Sequence, residues 1–209
     1  FLDELPEFDR RALEVLREPM ESGRITISRA ARQAEFPARF QLIAAMNPCP
    51  CAYLGDVSGR CHCSAEQVHR YRARLSGPLL DRIDLHVEVP KVPHQILRNT
   101  EITGPTSAEI RQNVEMARQQ QLQRAGKLNR AMSSREIERL CLLEKNVASL
   151  LEQAVEKLGL SARAYHRVLK VARTIADLAN SPAIEMPHLS QAISYRRLDR
   201  RTGAALVVE

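Results

Sequence analysis

The sequence predicts an α/β first half followed by an all-α second half, and three observations carry that prediction. Two short apolar runs, at residues 1–2 and 42–46, end in polar residues, as buried strands of an open α/β sheet do. Residues 24–30 alternate between apolar and polar at period two. From residue 106 onward, apolar positions recur at helical spacing behind Ser or Thr capping signals. The chain has no Trp and only 4% aromatic residues, which favours a helix-rich interior packed with Leu and Ala.

The opening stretch, FLDELPEF, is an apolar start that runs into two adjacent carboxylates. A strand end of this kind suits a metal-bound nucleotide. Asp3 would hold Mg²⁺, and Glu4 would polarise a water for attack on a γ-phosphate. Solvated acids at a strand end are the competing reading. After Pro6 the chain turns, Asp9 caps a helix with Leu13 and Leu16 on one face, and Pro19 is expected to stop it.

Residues 24–30 then form one strand of a hairpin, residues 31–37 its tip, and residues 38–47 the return strand, apolar enough to be central in a sheet. Arg24, Arg29, Arg32 and Arg39 lie on or near this hairpin. They could probe a nucleic-acid backbone, or they could be ordinary solvated residues. Asn47 ends the return strand before Pro48, at the edge where open α/β sheets bind ligands. There it could orient an attacking water.

Two C-x-C pairs follow, Cys49/Cys51 and Cys61/Cys63, separated by nine residues. Four thiols in one short loop can close on a tetrahedral Zn²⁺, with Gly55, Ser58 and Gly59 letting the loop turn. Free or redox-active thiols are the alternative. A basic helix begins at a Ser64-x-x-Gln67 capping box and carries Arg70, Arg72 and Arg74, read as general positive charge. Residues 79–90, LLDRIDLHVEVP, place Arg82 at the start of an alternating strand between Asp81 and Asp84.

A connector at residues 91–105 contains Pro93, Gly104 and Pro105. The expected division is a core of residues 1–97 and a helical domain of residues 98–209. In the latter, Thr106-x-x-Glu109 caps a helix to about residue 125, with Ile110, Val114, Ala117 and Leu122 as a sparse buried stripe. Ser133-x-x-Glu136 caps a second helix. Residues 146–158 and 160–178 form two more, and Pro187 opens the last. Arg163 lies in the first turn of the long helix, while Arg167 and Arg173 read as packing stems with solvated heads. Cys141 reads as a buried apolar residue.

The 209 residues carry a net charge of +6, with Arg far more frequent than Lys, which suits phosphate-bearing partners. No stretch is long and apolar enough for a membrane span, and no signal peptide opens the chain. Clustered cysteines do not resemble a secreted disulfide framework, so a reducing cytoplasm is expected.

FLDELPEF resembles the Walker B strand of AAA+ ATPases. ITISRAARQAEFPARFQLIAAMNPCPC resembles their pre-sensor-1 hairpin and sensor-1 strand, and SGPLLDRIDLHVEVP the arginine-finger segment. Together with the CHC pair, these stretches are similar to the magnesium-chelatase-like ComM/YifB family. That family lies in the helix-2-insert branch of AAA+ proteins, beside MCM helicases and magnesium chelatase subunits.

The resemblance implies the C-terminal part of an AAA+ parallel-sheet core followed by a helical lid. It makes Asp3 and Glu4 the Walker B residues, Asn47 sensor 1, and Arg82 the finger that reaches the ATP of the adjacent subunit. In SARAYHRVLKVARTIADL it makes Arg163 the sensor-2 arginine on ATP. It further implies ATP and Mg²⁺ as cofactors, a ring of six copies, and DNA as the substrate of a motor active in DNA uptake and recombination.

The sequence contains no G-x-x-x-x-G-K-[ST] loop, so Walker A is expected upstream of Phe1 and this chain alone is expected to be inactive. Two rival readings remain: a magnesium-chelatase-type ATPase subunit that remodels a partner protein, and a non-enzymatic, zinc-dependent nucleic-acid-binding module.

Overall fold

The computed structural model describes residues 1–29, 32–56, 59–90, 92 and 104–196, with the backbone alone at Arg29 and Arg32. The chain divides into two compact units, one over residues 1–83 and a second that begins at Asp84. The expected boundary at residues 97 and 98 lies outside the described residues.

In the first unit, Leu2 makes a parallel bridge to Ala44. Leu2 N–H donates to the Ile43 carbonyl at 2.9 Å, Ala45 N–H to the Leu2 carbonyl at 2.9 Å, and Leu5 N–H to the Ala45 carbonyl at 2.9 Å. A 3₁₀ turn, Leu5–Glu7, follows directly. Helix α1, Arg10–Val15, starts at Asp9, whose Oδ1 accepts from the N–H groups of Arg11 and Ala12 at 2.8 and 3.2 Å. Asp9 thereby satisfies two amides that have no intrahelical acceptor.

Pro19 does not stop this helix. The break falls at Leu16, and Pro19 lies in the first turn of a second helix, α2, Arg17–Ser22. A first-turn amide has no intrahelical partner to lose, so Pro is tolerated there. Gly23, at φ 70°, ends α2.

Strands β1, Arg24–Arg29, and β2, Arg32–Pro37, form an antiparallel pair with Arg24 opposite Pro37 and Arg29 opposite Arg32. The segment expected as the tip is therefore the return strand itself. The register explains why: it pairs Ile25 with Phe36 and Ile27 with Ala34 on one face of the ribbon. Among its described side chains only Ile25 is partly covered and all others are exposed, so the hairpin projects from its unit.

The expected central strand at residues 38–47 is reduced to the single bridge at Ala44, and no strand forms at residues 83–90. In both segments apolar pattern exists without a partner ladder among the described residues. Ile43, Leu85, Val87 and Val89 are accordingly 48–82% exposed.

Helix α3, Ala65–Arg72, carries the expected capping box, with Gln67 N–H on Ser64 Oγ at 3.2 Å and Ser64 N–H on Gln67 Oε1 at 2.8 Å. A one-turn helix α4, Gly77–Leu80, closes the unit. Its core is small: Leu5, Leu13, Leu75 and Leu79 are buried, with Leu2, Met20, Ala44 and Met46 packed at the edge.

The second unit is helical among its described residues. Helices α5 Ser107–Ala125, α6 Ser134–Leu140, α7 Lys145–Leu158, α8 Ala162–Leu178 and α9 Met186–Ser194 follow in order. Both predicted boxes form, at Thr106/Glu109 and Ser133/Glu136. The core centres on α8: Val168, Leu169, Ala172 and Ala176 pack with Ile137, Cys141, Val147, Leu151, Ile184 and Leu189.

The predicted stripe of α5 is wrong in part. Ala117 is buried, but Ile110, Val114 and Leu122 are 43–50% exposed. Polar groups turn the helix instead. Gln121 and Arg124, spaced i+4 and i+7 from Ala117, meet Asn129 and Asp177.

Arg173 is also corrected. It is 2% exposed, and its guanidinium donates to Asp177, to the Ser181 carbonyl at 2.6 Å and to the Pro182 carbonyl at 2.9 Å. Cys141 is buried as expected, and burial pushes its thiol up to about 11.

Candidate functional site

The pairing of Leu2 with residues 43–45 brings the Asp3–Glu4 turn beside the segment that ends in Asn47. Glu4 adopts φ 50° and ψ 48°, a left-handed conformation that costs a non-glycine residue roughly 1–2 kcal/mol. Strain of this kind is retained where surrounding structure fixes it. Here Asp3 Oδ1 accepts the Glu4 N–H at 3.0 Å, and Leu5 is anchored to Ala45. Both carboxylates are exposed, and they are hard oxygen donors of the kind Mg²⁺ takes one or two of.

Helix α3 braces both segments. The buried Tyr71 lies beside the Asn47 backbone, and burial raises its phenol above its usual value, with Glu7 and Glu4 adding to the rise. Arg72 donates from Nε and Nη2 to the Pro48 carbonyl at 3.3 and 3.1 Å. Arg74 donates to the Pro6 carbonyl at 3.2 Å and to Glu7 at 2.7 Å. Arg72 and Arg74 thus hold specific carbonyls rather than supplying general charge. Arg70 pairs with the exposed Glu66 on its own helix. Sequence reasoning missed these positioning roles, because partners 24 to 68 residues away leave no local signal.

Arg82 is nine-tenths covered, donates to the Pro78 carbonyl at 2.8 Å and pairs with Glu21 of α2. Asp84 pairs with Arg167, both within the second unit. Arg163 lies exposed in the first turn of α8 behind the Ser161 cap, in the other unit from Asp3, Glu4 and Asn47. Of the hairpin arginines, Arg24 pairs with Glu35 across the ribbon, and the exposed Arg39 packs its stem by Gly23. The side chains of Arg29 and Arg32 lie outside the described residues.

The four loop cysteines converge. Their Sγ atoms all lie within 4.8 Å of one another, with Cys49 to Cys51 at 3.4 Å, Cys51 to Cys61 at 3.6 Å and Cys49 to Cys61 at 3.9 Å. Cys49 is fully buried and the other three are partly covered. The Tyr53 backbone and neighbouring sulfurs lower Cys51 to about 6, whereas sharing with Cys51 pushes Cys63 up to about 12.

With this geometry in place, the likeness to known proteins is informative. Residues 1–97 match the family described as magnesium chelatase, subunit ChlI, and residues 104–196 match the C-terminal family of the same subunit. The chain belongs to the magnesium chelatase family, in its ComM/YifB branch. Competence protein ComM of Haemophilus influenzae is 54% identical over 200 residues, covering 96% of this chain and 39% of that protein. The uncharacterised protein YifB of Escherichia coli K12 is 51% identical with the same coverage. An uncharacterised protein of Mycobacterium tuberculosis H37Rv is 37% identical over 205 residues, covering 96% of this chain and 40% of its own length. The chain therefore spans about two fifths of the curated relatives it matches. Among the described residues no helix is long and apolar enough to cross a membrane.

Proposed function

We propose that this chain is the nucleotide-sensing and lid portion of an AAA+ ATPase that assembles as a hexameric ring and couples ATP hydrolysis to movement of DNA. The observation that carries this reading is the strained Glu4, held beside the segment ending in Asn47 by the Leu2–Ala44 bridge, with Arg72 and Arg74 on the adjoining Pro48 and Pro6 carbonyls.

In this reading Asp3 is the carboxylate for Mg²⁺, which supplies charge neutralisation at the phosphate oxygens when bound. Glu4 accepts a proton from the attacking water, and Asn47 orients that water. Arg82 is released from Glu21 to serve the ATP of a neighbouring copy, and Arg163 contacts ATP from the lid. Arg24, Arg29, Arg32 and Arg39 of the projecting hairpin face the DNA backbone. The printed name of the Haemophilus relative, a competence protein, supports a role in DNA uptake and recombination in the cytoplasm. The family's own description favours a second reading, a chelatase-type subunit whose ring remodels a partner protein.

The test uses the intact protein. Glu4→Gln is expected to preserve ATP binding and to lower turnover at least about a hundred-fold. Unchanged turnover overturns the ATPase assignment. The double change of Arg29 and Arg32 to Ala is expected to weaken salt-sensitive DNA binding. A ring that hydrolyses ATP but binds no DNA at any salt selects partner remodelling, and DNA binding without turnover selects a non-enzymatic module. Since the chain holds no G-x-x-x-x-G-K-[ST] loop, the isolated 209 residues are expected to show no ATP turnover.

A further inference from the structure

Among its described residues the cysteine loop has little apolar burial to hold its shape. Of its described residues beyond Cys49, none is buried. Tyr53 and Leu54 are 37% and 39% exposed. Three turns with positive φ, at Ala52, Gly55 and Gly59, fold the loop back on itself. The Arg60 guanidinium, 4.4 Å from the Tyr53 ring centre and 3.8 Å from Asp56, closes its outer side. Those surface contacts are weak. What occupies the centre is four sulfurs.

Their spacing fits one cation. A tetrahedral zinc–thiolate centre with bonds of about 2.3 Å has sulfur–sulfur edges of about 3.8 Å. The three distances here, 3.4, 3.6 and 3.9 Å, bracket that value. A disulfide would instead bring one pair to about 2.05 Å, whereas all five cysteines of the chain are free. A four-sulfur tetrahedral set selects zinc or iron over magnesium and calcium.

We infer that Cys49, Cys51, Cys61 and Cys63 form a tetrathiolate zinc site that locks the Asn47–Pro48 turn to helix α3. The connectivity closes a circuit. Cys49 is two residues beyond Asn47, and Cys63 immediately precedes Ser64, the cap of α3. From the far end of α3, Arg72 returns to the Pro48 carbonyl with two hydrogen bonds. The metal therefore joins the beginning of α3 to the segment that its end already grips, and the Asn47–Pro48 turn is held from both sides. Zn²⁺ enters with the thiols as thiolates, releasing their protons to solvent. Metal binding is independent of the ATPase reading. Only the consequence for Asn47 as a water-orienting group rests on that reading.

The 209-residue chain, isolated in reducing buffer, is tested by elemental analysis and by a chromogenic chelator after thiol modification. One zinc per chain is expected. Substitution by Co²⁺ is expected to give the visible bands of a tetrahedral thiolate centre. The double change of Cys61 and Cys63 to Ser is expected to lose at least nine-tenths of the metal, while Cys141→Ser retains it. If the double variant fails to fold, chelator treatment of the unaltered chain replaces it. Amide exchange at residues 45–49 and 64–72 should then rise at least ten-fold on metal removal, with residues 162–178 unchanged.

A chain isolated with under a tenth of an equivalent of metal overturns the site, as does one containing two disulfides or a bound iron. Full metal content with no change in exchange at residues 45–49 overturns the lock. Both readouts are independent of ATP turnover, so failure of the ATPase reading in the intact protein leaves the zinc site and the lock standing.

Discussion

The two units solve the same problem, placing arginine and carboxylate groups, with opposite means. The second unit surrounds Asp177 with Arg124, Arg173 and Asn129 over a core of twelve buried residues. The first unit has a buried cluster of four, and Arg72 and Arg74 donate to carbonyls at its surface. A large apolar core can carry an internal ionic network, because the helices that bring the charges together are already fixed by burial. A small core cannot, so the first unit relies on braces, hairpin pairing and the cysteine cluster. The unit with the weaker core also holds Asp3, Glu4, Asn47 and Arg82.

The largest test of this contrast is Asp177→Ala. Asp177 is 2% exposed, and although burial alone would raise its carboxyl, the hydrogen bonds from Arg124 and Asn129 hold it below the usual carboxylate value. Removing it leaves Arg173 buried without its carboxylate. The expected cost is about 3–5 kcal/mol of second-unit stability, read as a fall in the denaturant midpoint of the helical signal. Metal content and the exchange of residues 64–72 should not change. A loss under about 1 kcal/mol would mean that the network is not what fixes α5 on α8.

The next test lies in the first unit, on one helix. Arg72→Ala removes two hydrogen bonds to the Pro48 carbonyl and is expected to cost about 1.5–3 kcal/mol. Arg70→Ala removes only the exposed pair with Glu66 and should be indistinguishable from the unaltered chain in the same denaturation experiment. Equal effects at the two positions would refute the claim that α3 acts as a brace.

Legibility in the sequence follows the same divide. The capping boxes at Ser64, Thr106 and Ser133 are local signals, complete within four residues, and all three form. The helices of the second unit were therefore readable to within a residue or two. Sheet structure was not. Residues 38–47 and 83–90 carry strand pattern, but a strand exists only with a partner, and partner ladders are non-local. The hairpin was found with its return strand misplaced, since alternation fixes faces and not register. At the candidate site, Asp3, Glu4 and Asn47 were legible as polar residues closing apolar runs. The strain at Glu4, the Glu21 partner of Arg82 and the bracing by Arg72 and Arg74 were not, because each depends on chain segments distant in sequence. Arg173 misled for a related reason: nothing near it in sequence announces that Ser181, Pro182 and Asp177 will close over its head.

The smallest test concerns a surface feature of the well-packed unit. Glu136, in the capping box of α6, is lowered from 4.5 to about 2 by the Ser133 backbone N–H, Lys127 and the Ser133 hydroxyl. Because its folded value lies below its unfolded one, its ionised form contributes stability above pH 4.5, and that contribution is lost as pH falls through the interval down to about 2. Glu136→Gln keeps an N3 side chain able to accept from Ser133 but removes the charge. The variant should therefore be slightly less protected than the unaltered chain above pH 4.5, and the difference should close steadily towards pH 2, followed as amide exchange within Ser134–Leu140. A constant difference across that interval would show that Lys127 and the cap act through geometry alone. A difference that grows as pH falls would reverse the sign of the linkage and remove Glu136 from the account of why α6 begins where it does.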